Sequence, residues 1–180
     1  MGLDADRVRD ARADDAGAIS DIWRPIILDT VITFHPHPRE AEEVAGLIAG
    51  RQAGGQAFLV AEGPDGVLGF GTYAQFRAGL GYARTMEHTV HVAERARGRG
   101  VGAALVEALA AHATAAGHRS LIGAVTAQNS GSLAFHRRMG FHEVGRIPEA
   151  GWKFGRFHDL VLVRRALGAD DAGDSGAAAG

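Results

Sequence analysis

Cysteine is missing from all 180 residues. That excludes disulfides, thiolate metal sites and a cysteine nucleophile. Lysine occurs once, at Lys153, beside many arginines and alanines, which we read as coding bias. Net charge is only -2, so no strong field for nucleic acid or a membrane surface is implied, and any basic patch must be local. No apolar run approaches the roughly 20 residues needed to span a bilayer. The opening stretch, "MGLDADRVRDARADD", is charged and lacks an apolar signal core, which makes the cytoplasm the expected location. With 46% hydrophobic and 22% charged residues, the remainder is ordinary for a globular protein. Its length predicts one domain, spanning 6–167. The tail "GADDAGDSGAAAG", 168–180, is low-complexity and is expected to be disordered.

Hydrophobic periodicity and turn residues predict the elements between. "RVRDAR" (7–12) reads as a first strand, and Asp14 and Asp15 open a helix carrying Ile19, Ile22, Trp23 and Ile26. "TVITFHPHP" (30–38) reads as an extended loop, because each proline pushes its predecessor out of helical geometry. A second helix is expected over 39–53. Strands at 56–62 and 67–76 flank "GPDG" and should form an antiparallel hairpin. A strand at 83–93, a helix at 100–116, a strand at 120–126, a short helix at 129–140 and two strands, 141–147 and 157–167, complete the chain. The order β-α-α-β-β-β-α-β-α-β-β predicts an α/β (α+β) fold, with a mixed seven-stranded sheet flanked by helices.

"RARGRGVG", Arg95 to Gly102, sits between a strand pattern and an alanine-rich helix pattern. Such a loop suits a phosphate: glycines let the backbone approach, N–H groups point outward, and the helix N-terminus adds positive charge. A mononucleotide P-loop would need a Lys-Ser/Thr pair, which is absent. Gly98, Gly100 and Ala103 match the dinucleotide fingerprint, but no Asp or Glu follows between Glu107 and Glu143 to hold a ribose. Taken alone, the loop is either a pyrophosphate site or a glycine-rich turn with solvated arginines.

Arg95-x-x-Gly98-x-Gly100 resembles the pyrophosphate motif of GNAT-type acyl-CoA-dependent N-acetyltransferases. A second motif, Asn129-x-x-Ser132-x-x-x-His136-x-x-x-Gly140-Phe141, resembles another segment of that family at the right distance downstream. Within the family the chain is similar to the phosphinothricin and methionine sulfone–sulfoximine acetylating branch. The stretches that carry this are "TVITF" (30–34), "FRAGLGYARTMEHTVHV" (76–92), "FHRRMGF" (135–141) and "GWKFGRFHDLVL" (151–162). The resemblance implies the GNAT acyl-CoA N-acyltransferase fold, acetyl-CoA as co-substrate and a homodimer.

Acetyl transfer to an amine needs a neutral amine, a polarised thioester carbonyl and a protonated leaving thiolate. Glu87 is the candidate base: it stands among Thr, Val and His on a strand expected to be central, where a carboxylate needs a reason. The resemblance makes His136 a candidate for assisting proton transfer, and a backbone N–H near His91 or Val92 a candidate for the oxyanion. It assigns Arg95, Arg97, Gly98, Arg99, Gly100, Val101 and Gly102 to the pyrophosphate, with Asn129 and Ser132 near the pantetheine arm. For the amine substrate it points to Arg77, with Arg84, as the holder of an α-carboxylate, to Phe34 and Tyr73 as walls, and to Lys153 in the "KFGR" segment. Gly79 stands where some relatives carry a second arginine. No metal site is expected: His88-x-x-His91 points to opposite faces of a strand, and His35-Pro-His37 lacks a third ligand. The expected activity is direct acetyl transfer to the α-amine of a small amino-acid-like substrate. The alternatives are acetylation of a peptide N-terminus and an idle acyl-CoA sensor.

Overall fold

The computed structural model describes residues 8–64 and 66–168. The expected disordered tail therefore lies, from 169 on, outside the described residues, as does Arg7. Seven strands occur in the expected order: β1 (Val8–Asp10), β2 (Phe58–Gly63), β3 (Gly66–Gln75), β4 (Thr85–Val92), β5 (Ser120–Thr126), β6 (His142–Lys153) and β7 (Arg156–Ala166). Four helices accompany them: α1 (Ala16–Asp29), α2 (Ala41–Ala53), α3 (Val101–Ala115) and α4 (Ser130–Arg138). None is long and apolar enough to cross a membrane.

One sheet carries all seven strands in the order β1-β2-β3-β4-β5-β7-β6. Every pairing is antiparallel except β4 with β5. Side-chain alternation along β3 divides the helices between the two faces. A Cβ on Gly71 would meet Leu109 of α3, and Tyr73 bonds His112 of α3. Phe70, one step out of phase, packs on Trp23 of α1 at 5.0 Å between ring centres. Ile19, Val60, Phe70, Leu105, Leu109 and Val161 are fully enclosed in the resulting core.

The β4–β5 pair positions everything that follows. Its rungs are Thr85↔Ser120, Met86↔Leu121 and Glu87↔Ile122, and there the ladder stops. β4 continues to pair with β3 through Val92, and β5 with β7 through Thr126. The two central strands thus part after Glu87. Beyond that point every second residue of β4 turns its N–H and C=O into the gap, where no strand meets them.

The largest departure from the sequence reading is β6. The strand expected over 141–147, ending just before Pro148, runs on to Lys153. An irregularity between Ile147 and Gly151, with Glu149 at φ 54°, absorbs the proline, and pairing to β7 then resumes. Phe154 and Gly155, both at positive φ, form a two-residue turn into β7, as a tight hairpin requires. The "KFGR" segment is therefore a hairpin tip and not a loop.

Candidate active site

The gap between β4 and β5 opens into a cleft of about 1140 Å³. Directly opposed residues of a sheet share a face, so the pairs Phe70↔His91, Thr72↔Thr89 and Ala74↔Glu87 put Glu87, Thr89 and His91 on the α1 face. Tyr73↔His88 puts His88 on the α3 face. The cleft is lined by residues from both faces.

The glycine loop forms its basic end. Gly98 and Gly100 sit at φ 74° and 84°, in the left-handed region that costs other residues about 1–2 kcal/mol. Gly100 is the N-cap of α3 and offers no side-chain cap. The N–H groups of Val101, Gly102 and Ala103 therefore have no partner within the helix, and these residues line the cleft. Arg97 joins them. Open amides at the start of a 15-residue helix beside an arginine fit a pyrophosphate. Two of the predicted loop arginines do not reach the cleft. Arg95 donates to the Val67 carbonyl at 2.9 Å and borders a second depression between α1 and the start of β3. Arg99 is exposed and is not part of the lining.

On the opposite wall Asn129 caps α4, its Oδ1 accepting from the Ser132 N–H at 3.0 Å. This cap turns Ser132 and His136, one helical turn apart, to the cleft. His136 is buried, and both its nitrogens are occupied: Nδ1 lies 2.8 Å from the Ser132 carbonyl and 3.2 Å from Ser132 Oγ, and Nε2 lies 3.1 Å from Nε2 of His88.

Glu87 lines the cleft at the last β4–β5 rung. It is half-buried and forms no ion pair among the described residues. Burial pushes its carboxyl above the ordinary glutamate value. His91 and Val92 line the cleft further along β4. The His91 ring lies against Trp23 and Phe70, where burial, with Arg97 nearby, holds its pKa down to about 4.

Of the predicted substrate residues, Phe34 lines the cleft and stacks on His158 at 5.8 Å. The others lie elsewhere. Tyr73 is a core residue on the α3 face, its hydroxyl 2.7 Å from His112 Nδ1. Arg77 is exposed on the β3–β4 loop, over the Tyr82 ring, and Arg84 is exposed at the foot of β4. Lys153 is buried outside the lining and donates to the carbonyls of Ile27 and Thr33 at 2.6 and 2.7 Å. It braces the loop that carries Phe34. Thr126 braces the same loop from β5 through the Val31 carbonyl. The cations on the α1–α2 side of the cleft are Arg39 and Arg51. Arg39 lies over Trp23 with a buried Nε that has no hydrogen-bond partner. Sequence reasoning missed Arg39, which pairs with Glu43 one turn on and lies over Trp23 of α1, and His88, whose partners come from β5 and α4. His88 and His91 do lie on opposite faces, and no metal-binding cluster occurs among the described residues.

A split between central strands, a glycine loop heading the following helix and a carboxylate at the split together invite comparison with known proteins. The L-methionine sulfoximine/L-methionine sulfone acetyltransferase of Pseudomonas paraeruginosa is 33% identical over 161 residues, covering 89% of this chain and 94% of that protein. The crystal structure of a phosphinothricin acetyltransferase from Sinorhizobium meliloti, in complex with acetyl-CoA, superposes with a TM-score of 0.86 at 31% identity, covering 95% and 93% of the two chains. That of a ribosomal-protein-alanine N-acetyltransferase from Brucella melitensis gives 0.86 at 32%, covering 89% and 99%. Residues 21–141 match the model of the acetyltransferase (GNAT) family, and with the split sheet and its glycine loop this places the chain in that family.

Proposed function

We propose that this protein transfers the acetyl group of acetyl-CoA to the α-amine of a small amino-acid-like acceptor of the phosphinothricin, methionine sulfoximine or methionine sulfone type. The observation that carries the reading is Glu87: a half-buried carboxylate without an ion-pair partner, facing the cleft where β4 leaves β5. Relatives that act on these acceptors support the substrate class.

The amides of Val101, Gly102 and Ala103, with Arg97, hold the pyrophosphate. The open edge of β4 receives the pantetheine arm, and its N–H groups near His91 and Val92 face the thioester oxygen as it gains charge. Glu87 takes a proton from the substrate ammonium, directly or through a water, and leaves an amine able to attack. Its raised pKa brings it nearer to the amine's and makes it a stronger base than an exposed glutamate. Attack on the thioester is direct, and without cysteine the chain cannot carry the acyl group as a thioester. Phe34 forms a wall of the acceptor subsite, and Arg39, on the same side of the sheet as Glu87, is the cation best placed for a carboxylate. No metal enters this chemistry. The reaction belongs to the cytoplasm.

We also assign a homodimer. Val144, Ile147, Trp152, Phe154 and Phe157 are large, apolar and about half exposed, and all lie on the β6–β7 hairpin at the sheet edge. Such a row calls for a covering partner.

Purified protein with acetyl-CoA and a panel of amines tests the activity through release of free thiol. Turnover is expected on the three acceptors named. The ribosomal-protein-alanine relative makes a peptide N-terminus the second reading, so the panel includes an alanine-initiated peptide. Turnover on that peptide alone would replace the small-acceptor reading, and none on any amine would sink both.

A further inference from the structure

His88 belongs to neither the glycine loop nor the acceptor wall, yet it is buried in contact with His136. Its Nδ1 lies 2.8 Å from the carbonyl of Ile122. A carbonyl only accepts, so Nδ1 of His88 carries the ring proton and its Nε2 is bare. That bare Nε2 lies 3.1 Å from Nε2 of His136. The contact is a hydrogen bond only if His136 holds its own proton on Nε2. In the neutral ring so protonated, His136 Nδ1 is an acceptor: the Ser132 hydroxyl, 3.2 Å away, is the donor within reach, while the Ser132 carbonyl, closer at 2.8 Å, favours a proton on that nitrogen. In that neutral state donation runs from Ser132 Oγ–H to His136, from His136 to His88, and from His88 to Ile122.

The surroundings are shaped to this pair. A Cβ on Gly123 would stand 3.0 Å from His88 Cε1 and from Val163, and 3.2 Å from His136 Nε2, tighter than ordinary contact, so a side chain there would push on both rings by a few tenths of an ångström. Phe141 packs against both rings, tilted on His88 at 5.2 Å and edge-to-face with His136 at 5.1 Å. Burial lowers both rings, His88 to about 3 with the facing His136 adding to it; His136 is the one of the two that borders Ser132, so a proton passed on by that hydroxyl enters on His136. The Ser132 carbonyl, 2.8 Å from His136 Nδ1, stands ready for it: it faces a bare nitrogen in the neutral ring and accepts a hydrogen bond once Nδ1 is protonated.

We propose that His88 is a positioning residue that orders His136 and Ser132 into a proton relay opening on the cleft at the Ser132 hydroxyl. The step presupposes the acetyl transfer proposed above. After Glu87 has removed one proton and the amine has attacked, nitrogen and sulfur are bonded to the same carbon, and one hydroxyl can serve both. The N–H bond breaks as its proton passes to Ser132 Oγ, and the serine's own proton passes to His136 Nδ1. As the carbon–sulfur bond breaks, Ser132 gives a proton to the thiolate and takes one back from His136. The relay returns to its starting state, the amide and free thiol have formed, and the one proton released to solvent is the one Glu87 took. The faces suit this division, with Glu87 on the α1 side of the split and His88 on the α3 side.

Two measurements test the relay. Nitrogen-15 spectra of the histidines in the unliganded protein should show His136 protonated on Nε2, and in His88→Leu protonated on Nδ1, toward the Ser132 carbonyl. Steady-state kinetics should show His88→Leu losing kcat by about 10–100-fold, the low end of general acid–base effects, with the KM for acetyl-CoA unchanged. His88→Gln, whose amide can donate to Ile122 and accept from His136, should restore kcat to within about threefold. An Nδ1-protonated His136 in the wild type, or a wild-type kcat in His88→Leu, overturns the proposal. If the wild type transfers no acetyl group, the functional reading fails, and the nitrogen-15 spectra still decide the relay. Should His88→Leu fail to fold, the wild-type spectra and the glutamine variant decide it.

Discussion

Glu87 shows how a single residue's surroundings set its chemistry. Its carboxylate has lost water without gaining a cation, so its pKa rises. As a base it works only when ionised. The acid limb of kcat/KM should therefore lie above the ordinary glutamate value, activity falling as pH drops through it, and the limb should vanish in Glu87→Gln. The same shift has a thermodynamic sign. A carboxyl whose folded pKa exceeds its unfolded one lowers stability at every pH where it is ionised. Glu87→Gln should then melt at or above the wild-type temperature near pH 7, a stability–activity trade expected at a catalytic site. Glu87 was legible in the sequence because a carboxylate stands out on an apolar strand. Tyr73 was not, since alternation alone does not say which face of β3 meets the cleft. His88 could be judged only as a metal ligand, because His136 lies 48 positions further along the chain.

At the scale of elements, the glycine loop and the Phe34 loop are held by different means. Gly100 owes its place to a left-handed backbone at the head of α3. Gly100→Val should weaken acetyl-CoA binding at least tenfold by calorimetry, through strain and a side chain over the open amides. Lys153 acts from outside the cleft, where its ammonium serves two carbonyls. Lys153→Met leaves both without that donor, at about 1–3 kcal/mol, or a Tm lower by about 2–12 °C in a protein of this size. The KM for the amine should rise while that for acetyl-CoA stays. The strand and helix order was readable from periodicity, and the motifs Arg95–Gly100 and Asn129–Phe141, which turn out to head α3 and α4, from their spacing. The length of β6 was not, because a proline within a strand reads as an end when the irregularity that absorbs it leaves no local mark. Nor could the arginines be sorted: Arg95 and Arg97 are two positions apart, yet one serves a carbonyl at the start of β3 and the other the cleft.

At the scale of the whole molecule, the sheet both builds the site and exposes an edge. The half-exposed row on β6 and β7 should be covered by a second copy in solution. Sedimentation should give twice the chain mass for the wild type and the single chain mass for Trp152→Glu with Phe157→Glu. A monomeric wild type would contradict the assignment. The central claim is that the cleft at the β4–β5 split moves an acetyl group with Glu87 as base. Its most direct test compares acetyl transfer from acetyl-CoA by the wild type and by Glu87→Gln on the best acceptor of the panel. The wild type should transfer the acetyl group, with kcat reduced about 10²–10⁴-fold in the variant, as for loss of a general base, and the KM for acetyl-CoA unchanged. Equal kcat in the two proteins would contradict it.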